Sequence, residues 1–149
     1  MTKENVPENR EYPARPVVAV GVVVFSKEKV LLIKRNKPPK SSQWSIPGGA
    51  QNLGETLKNT AAREVLEETG IKIKNIKLVD VVDLIQKNEN EAPKYHYSLI
   101  DYFAEYDQGT LKAGDDAEEA KWVSFDDLGR YNLWDETMKI INKARSAIG

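Results

Sequence analysis

The pattern of apolar and polar positions changes character at Pro16. Residues 1–15 are polar and proline-containing, and read as a flexible N-terminal tail. From Val17 to Phe25 the run VVAVGVVVF is β-branched and almost unbroken, the pattern of a strand covered on both faces. Ser26 to Glu28 reads as a turn, and Val30 to Ile33 as the returning strand. Asn36 to Gln43 is a loop by its prolines and serines, and Gly48, Gly49 and Gly54 punctuate a second one. A helical period follows from Glu55 to Thr69, with Leu57, Ala61, Ala62, Val65 and Leu66 on one arc and Gly70 at the stop position. Ile71–Ile85 and Tyr95–Tyr106 are strand-like, with the polar loop QKNENEAPK between them. Ala120–Phe125 reads as a short last strand. Asp135–Ile148 reads as a terminal helix with Asp135 as N-cap and Met138, Ile141 and Ala144 at helical spacing. Strands on both sides of a central helix predict a mixed α/β domain over residues 16–149.

Composition narrows the chemistry. The chain has 149 residues, enough for one core, and a net charge of −1, so no overall basic field draws it to nucleic acid or to a membrane surface. It has no cysteine and one histidine, His96, which excludes thiolate sites and disfavours structural zinc. A metal held here has to be a hard ion in an oxygen cage. The first residues lack the apolar segment of a signal peptide, and no run approaches a membrane span, so a cytoplasmic address is expected.

The informative segment is Gly48 to Ile71. On a helix, Glu64, Glu67 and Glu68 share one side, where like charges cost about 0.2–0.5 kcal/mol per pair. A solvated acidic face is the ordinary reading of such a cluster. Three features favour a site instead. Arg63 precedes the cluster and can hold a carboxylate by a two-pronged contact, the acidic side borders the apolar arc, and a glycine-rich turn leads into the helix. A loop carbonyl with two or three carboxylates suits Mg²⁺ or Mn²⁺.

Gly49, Glu55, Arg63, Glu64, Val65, Glu67, Glu68, Gly70 and Ile71 resemble the Nudix box at every defining position and spacing. Trp44-Ser45-Ile46-Pro47-Gly48-Gly49 is similar to the usual lead-in, and Trp122-Val123-Ser124 with Leu128 to the end of the fold. The resemblance covers about residues 16–136. It implies an α/β/α sandwich with a mixed central sheet, the box forming a loop–helix–loop. It further implies that Glu64, Glu67 and Glu68, with the Gly48 carbonyl, hold Mg²⁺ or Mn²⁺. Gly49, Glu55, Arg63 and Gly70 would brace the box, and water would attack phosphorus in the diphosphate of a small nucleotide substrate. The general base stays open between a box carboxylate (Glu64 or Glu67) and an acid of the later loop Ala113–Glu119, where Asp116 is the first choice.

Further candidates for substrate contact are Arg35 at the end of the second strand, Trp44 beside the glycine loop, His96 on a sheet face and Asp135 at the start of the last helix. Each also has a plain reading, as surface charge, core aromatic, sheet polar residue and helix start respectively. The stretch around His96-Tyr97-Ser98, the Gly114-Asp115-Asp116-Ala117 turn and Leu133-Trp134-Asp135 resemble bacterial Nudix proteins labelled for ADP-ribose. Against that, enzymes of this type often carry a proline a short way beyond the box, and Asp83 to Lys87 has none. Nucleoside triphosphates, including oxidised ones, are the alternative substrate class, and a nucleotide-sensing domain without turnover is the alternative of another kind. A homodimer is compatible with the sequence, although no apolar stripe singles out an interface.

Overall fold

A computed structural model describes residues 10–35, 42–114 and 117–148. Among them, seven strands form one mixed sheet: β1 Val17–Ser26, β2 Lys29–Arg35, β3 Trp44–Ser45, β4 Gly48–Ala50, β5 Lys72–Lys87, β6 Pro93–Gln108 and β7 Ala117–Ser124. Helix α1 spans Leu57–Thr69, helix α2 spans Asp135–Ile148, and a 3-10 turn covers Phe125–Tyr131.

The sheet order is β3-β2-β1-β6-β5, with β4 also on β1 and β7 also on β2. β1 runs parallel to β6, and the other pairings are antiparallel. β1 and β2 meet only at their hairpin end, where Phe25 faces Val30 across the turn at Lys27 and Glu28. Lys27 takes a φ of 56°, the positive value that primed two-residue hairpin turns demand. Beyond it the two strands part, and β1 pairs instead with β4, Gly21 opposite Gly48 and Ala19 opposite Ala50. This divergence leaves room for β4 on β1, with Glu64 and Glu68 of α1 against its glycines.

The period of two along β1 explains the layering. Val20, Val22 and Val24 point to one side and pack with Leu31, Ala61, Val65, Ile71, Tyr102 and Ala104 beneath α1. Val23 and Phe25 point to the other and pack with Val30, Leu32, Ile46, Val123, Ile140, Ile141 and Ala144 beneath α2. Val22, Val23 and Val24 are wholly buried, as expected of a strand covered on both faces. The result is a helix–sheet–helix sandwich, the expected fold class.

Several local expectations shift. Leu66, placed on the apolar arc by its period, is 44% exposed, because the buried stripe of α1 runs through Ala61, Val65 and Glu68 instead. The first intrahelical bond of α2 runs from the Met138 N–H to the Trp134 carbonyl at 3.0 Å, so Trp134 occupies the N-cap position and Asp135 the first turn. Two residues of the expected tail touch β6: the Tyr12 N–H donates to the Lys94 carbonyl at 2.7 Å, and Glu11 accepts from the Tyr95 hydroxyl at 3.1 Å. Among the described residues no helix is long and apolar enough to cross a membrane.

Candidate active site

Helix α1 begins where Thr56 accepts from the Asn59 N–H at 3.1 Å and ends at Gly70, whose φ of 75° lets its N–H close on the Leu66 carbonyl at 2.9 Å. These caps fix which way the acidic side of the helix faces, towards β4. Gly48 approaches β1 so closely that a Cβ there would overlap the Val20 carbonyl oxygen. A Cβ on Gly49 would meet the Glu64 carboxylate. The two glycines therefore bring loop backbone onto the helix carboxylates.

Two arginines organise the acids. Arg63 grips Glu55, with Nε 2.6 Å from Oε2 and Nη2 3.0 Å from Oε1, and Nη2 also donates to the Ala50 carbonyl at 3.0 Å. Its Nη1 reaches Glu64 at 2.5 Å and Glu67 at 3.3 Å. Glu55 further accepts from the Asn52 N–H at 3.1 Å and the Thr60 hydroxyl at 2.8 Å, tying the loop to the first turn of the helix. Glu68 is buried at 3% exposure, with Oε1 accepting from the Gly48 N–H at 2.8 Å and Oε2 from Arg35 Nη1 at 3.0 Å. Arg35 Nη2 donates to the Ile46 carbonyl at 3.1 Å and reaches the Gly48 carbonyl at 3.5 Å.

The electrostatics separate bracing acids from strained ones. The hydrogen bonds from Arg63, then those from Asn52 and Thr60, hold Glu55 down at about 2. Arg63 in turn is raised above its ordinary value, first by its bond to Glu55. Glu64 goes the other way: burial, then the charge of Glu68, pushes it up to about 7 despite Arg63 alongside. Negative charge is thus concentrated beyond what the two guanidinium groups offset.

The structure brings Gly48, Gly49, Glu55, Arg63, Glu64, Glu67, Glu68 and Arg35 together at the junction of β4, α1 and the end of β2, while Gly70 closes the far end of α1 against Thr110 and Lys112. It places three other candidates elsewhere. Trp44 packs on the α2-side core, its ring edge-on to Tyr131 at 5.2 Å and under Lys121 at 5.8 Å. His96 pairs with Ile85 on the outer hairpin, five residues along β6 from Asp101, which faces Gly21 across the sheet, or about 16 Å at the rise of a strand. Asp135 is exposed at the start of α2. Asp116 lies outside the described residues. Its neighbour Gly114 donates to the Glu68 carbonyl at 3.1 Å and accepts from the Ala117 N–H at 3.0 Å.

Sequence reasoning missed Thr60 and the Ile46 and Ala50 carbonyls as parts of the site. Thr60 is five residues from Glu55, outside the helical spacings that flag a pair, and main-chain acceptors leave no mark in a sequence.

The donor set suits a hard divalent cation. All its atoms are oxygens, one carboxylate is driven towards neutrality by burial and then by the charge of Glu68, and two guanidinium groups hold those oxygens. Among the described residues the acidic side chains do not yet converge closely enough to cage an ion.

A sequence model of the NUDIX domain matches residues 15–143, and the chain belongs to that family. Members of the family generally use divalent metals. The chain is 35% identical over 113 residues to a protein of Methanocaldococcus jannaschii named ADP-ribose pyrophosphatase, covering 76% of this chain and 64% of that one. It is 32% identical over 123 residues to the NAD-capped RNA hydrolase NudC of Salmonella typhi, covering 80% of this chain and 43% of that one. The crystal structure of a MutT NUDIX hydrolase from Burkholderia pseudomallei is similar at a TM-score of 0.75 and 28% identity, over 87% of this chain and 98% of that one. The chain thus spans less than two thirds of the length of these two curated relatives.

Proposed function

We propose that the chain is a divalent-metal-dependent hydrolase of the diphosphate bond in a nucleoside diphosphate linked to a second group, with ADP-ribose or a related nucleotide as substrate. The observation that carries this reading is the acidic cluster of α1 against the glycine loop: Arg63 reaches both Glu64 and Glu67, Glu68 accepts from the Gly48 N–H, and burial raises Glu64 to about 7. The similarity to a protein named ADP-ribose pyrophosphatase supports the substrate class.

In this reading Glu64, Glu67, Glu68 and the Gly48 carbonyl would hold Mg²⁺ or Mn²⁺, which would offset charge on the phosphates and make water more acidic. Glu55 and Arg63 keep the loop and helix in register. A water oxygen attacks one phosphorus, and the bond from that phosphorus to the bridging oxygen breaks. The electron pair stays on the departing phosphate, and the water proton passes to a carboxylate, Glu64, Glu67 or Asp116. In this reading Arg35, at the end of β2 beside Glu68, meets a substrate phosphate. Nucleoside triphosphates are the second substrate class, because the stretch Asp83–Lys87, strand in the structure, lacks a proline.

The test is a substrate panel of ADP-ribose, NADH, ordinary and 8-oxo nucleoside triphosphates, a diadenosine polyphosphate and a nucleotide sugar. Each is incubated with Mg²⁺ or EDTA, beside Glu68→Gln. AMP with ribose phosphate as products supports the ADP-ribose reading, and NMP with pyrophosphate moves the chain to the triphosphate class. Nucleotide binding without turnover makes it a sensor and overturns hydrolysis.

A further inference from the structure

We infer that Arg35 is a resident cation that latches the metal cradle shut, and that a divalent ion enters by displacing its guanidinium. The inference rests on the metal-cradle reading above. Among the described residues, the acceptors of the Arg35 guanidinium belong to that cradle or its lead-in: the Glu68 carboxylate at 3.0 Å, the Ile46 carbonyl at 3.1 Å and the Gly48 carbonyl at 3.5 Å. Two of these groups, Glu68 and the Gly48 carbonyl, are the ligands assigned to the cation. Like charges cannot share those oxygens at close range in a partly buried site without strong repulsion.

Arg63 offers the contrast. It also touches two ligand carboxylates, but its shortest two-pronged contact is with Glu55, and it holds the Ala50 carbonyl as well. Those anchors lie outside the cradle, so Arg63 can remain when a cation binds. Among the described residues Arg35 makes no hydrogen bond to such an anchor. It sits at the end of β2 with its side chain 23% exposed, so part of it already reaches solvent. Once displaced, its charge stands at the mouth of the cradle, where a diphosphate would lie. Cation binding and phosphate recognition are therefore linked through one side chain: the ion that enters releases the charge that meets the substrate.

The experiment measures Mn²⁺ affinity without substrate for the wild type, Arg35→Gln and Arg35→Lys. In parallel it follows the Arg35 Nε–H signal of the wild type by ¹⁵N NMR during a Mg²⁺ titration. Loss of a charge-assisted contact that competes with the ion is expected to tighten Mn²⁺ binding by Arg35→Gln roughly tenfold or more. Arg35→Lys, which keeps the charge but not the fork, should fall between the two. The Arg35 signal should move along the same saturation curve as Mg²⁺ binding. A cation that binds while the Arg35 signal stays still, or that binds Arg35→Gln no more tightly, overturns the latch and leaves the cradle intact. No cation binding in any of the three proteins overturns the latch and the metal-dependent reading together.

Discussion

Arg63 and Glu55 face each other fork to fork, with Nε 2.6 Å from Oε2 and Nη2 3.0 Å from Oε1, and the pair spans the junction between the glycine loop and α1. Eight residues apart, the two could not meet on one helix face; they meet because the loop folds back before Thr56 caps the helix. Glu55 is held at about 2, well below its ordinary 4.5, so its contribution is complete above pH 4.5 and is lost as pH falls through about 2. That shift corresponds to up to about 3 kcal/mol at neutral pH. Glu55→Gln should lose stability of that order in urea unfolding at pH 7, and the gap to the wild type should close towards pH 2. A gap that does not change with pH would show that packing, and not the ion pair, holds the loop.

Glu64 has the opposite sign. Burial beside Glu68 raises it from 4.5 to about 7, so between those values the folded protein keeps a proton that the unfolded chain releases. Stability of the metal-free protein should fall as pH rises from 4.5 to 7 on account of this group, and level off above. Glu64→Gln should then be more stable than the wild type at pH 8 in EDTA, by up to about 3 kcal/mol less whatever the lost Arg63 contact contributed, with no such advantage below pH 4.5. Adding Mg²⁺ should reverse the order, since an ion that binds only the folded wild type stabilises it by mass action. The check is denaturant unfolding across the pH range with and without Mg²⁺.

Adjacent glycines should respond differently to alanine. At Gly48 a methyl group meets the Val20 carbonyl and the Gly21 Cα, backbone of the central strand, which cannot turn aside. Gly48→Ala should cost about 1–3 kcal/mol or more, the usual penalty of overpacking. At Gly49 the obstacle is the Glu64 carboxylate, the tip of a side chain that can rotate. Gly49→Ala should unfold within about 1 kcal/mol of the wild type because the stiffer unfolded chain offsets mild crowding. Its turnover should nevertheless drop, by up to about 10²-fold, because a ligand carboxylate has moved. Thermal melts beside initial rates separate the two outcomes.

Much of this architecture is legible in the sequence where local periodicity carries it. The unbroken β-branched run of β1, the three-to-four spacing of α1 and the glycine that stops it are all found within a residue or two of their expected places. What escapes is set by partners distant along the chain. β3 and β4 are two and three residues long and exist because β2 and β1 supply their ladders, so the Trp44–Ala50 segment shows no side-chain period. The β5 and β6 strands run to Lys87 and from Pro93, beyond their apolar stretches, because each extends the other's hydrogen bonding into polar sequence. β7 starts at Ala117 and takes in Glu118 and Glu119, which flank Lys34 of β2 at 4.0 and 3.8 Å. In the site, the box chemistry is visible because its acids lie on one helix, whereas the Arg35–Glu68 pair joins residues 33 apart and leaves no local trace.

Trp44 shows how nearness in sequence to the glycine loop can mislead. Its strand pairs with β2 so that the indole lies on the α2 side of the sheet, against Tyr131 and the Lys121 ammonium, which also sits 5.5 Å from the Tyr131 ring. The acids of α1 border the other layer. Truncating the ring therefore removes packing and a cation–π contact rather than a substrate contact. Trp44→Ala should lose about 3–5 kcal/mol at most, less to the extent that the ring is only partly buried. Trp44→Phe, which keeps an aromatic edge for Tyr131, should recover much of that loss. At a temperature where all three proteins are folded, kcat/KM on the substrate identified in the panel should agree within about threefold, under 1 kcal/mol of transition-state binding. A Trp44→Phe protein that melts like the wild type yet loses kcat/KM tenfold or more, about 1.4 kcal/mol, would put the indole in the substrate pocket after all.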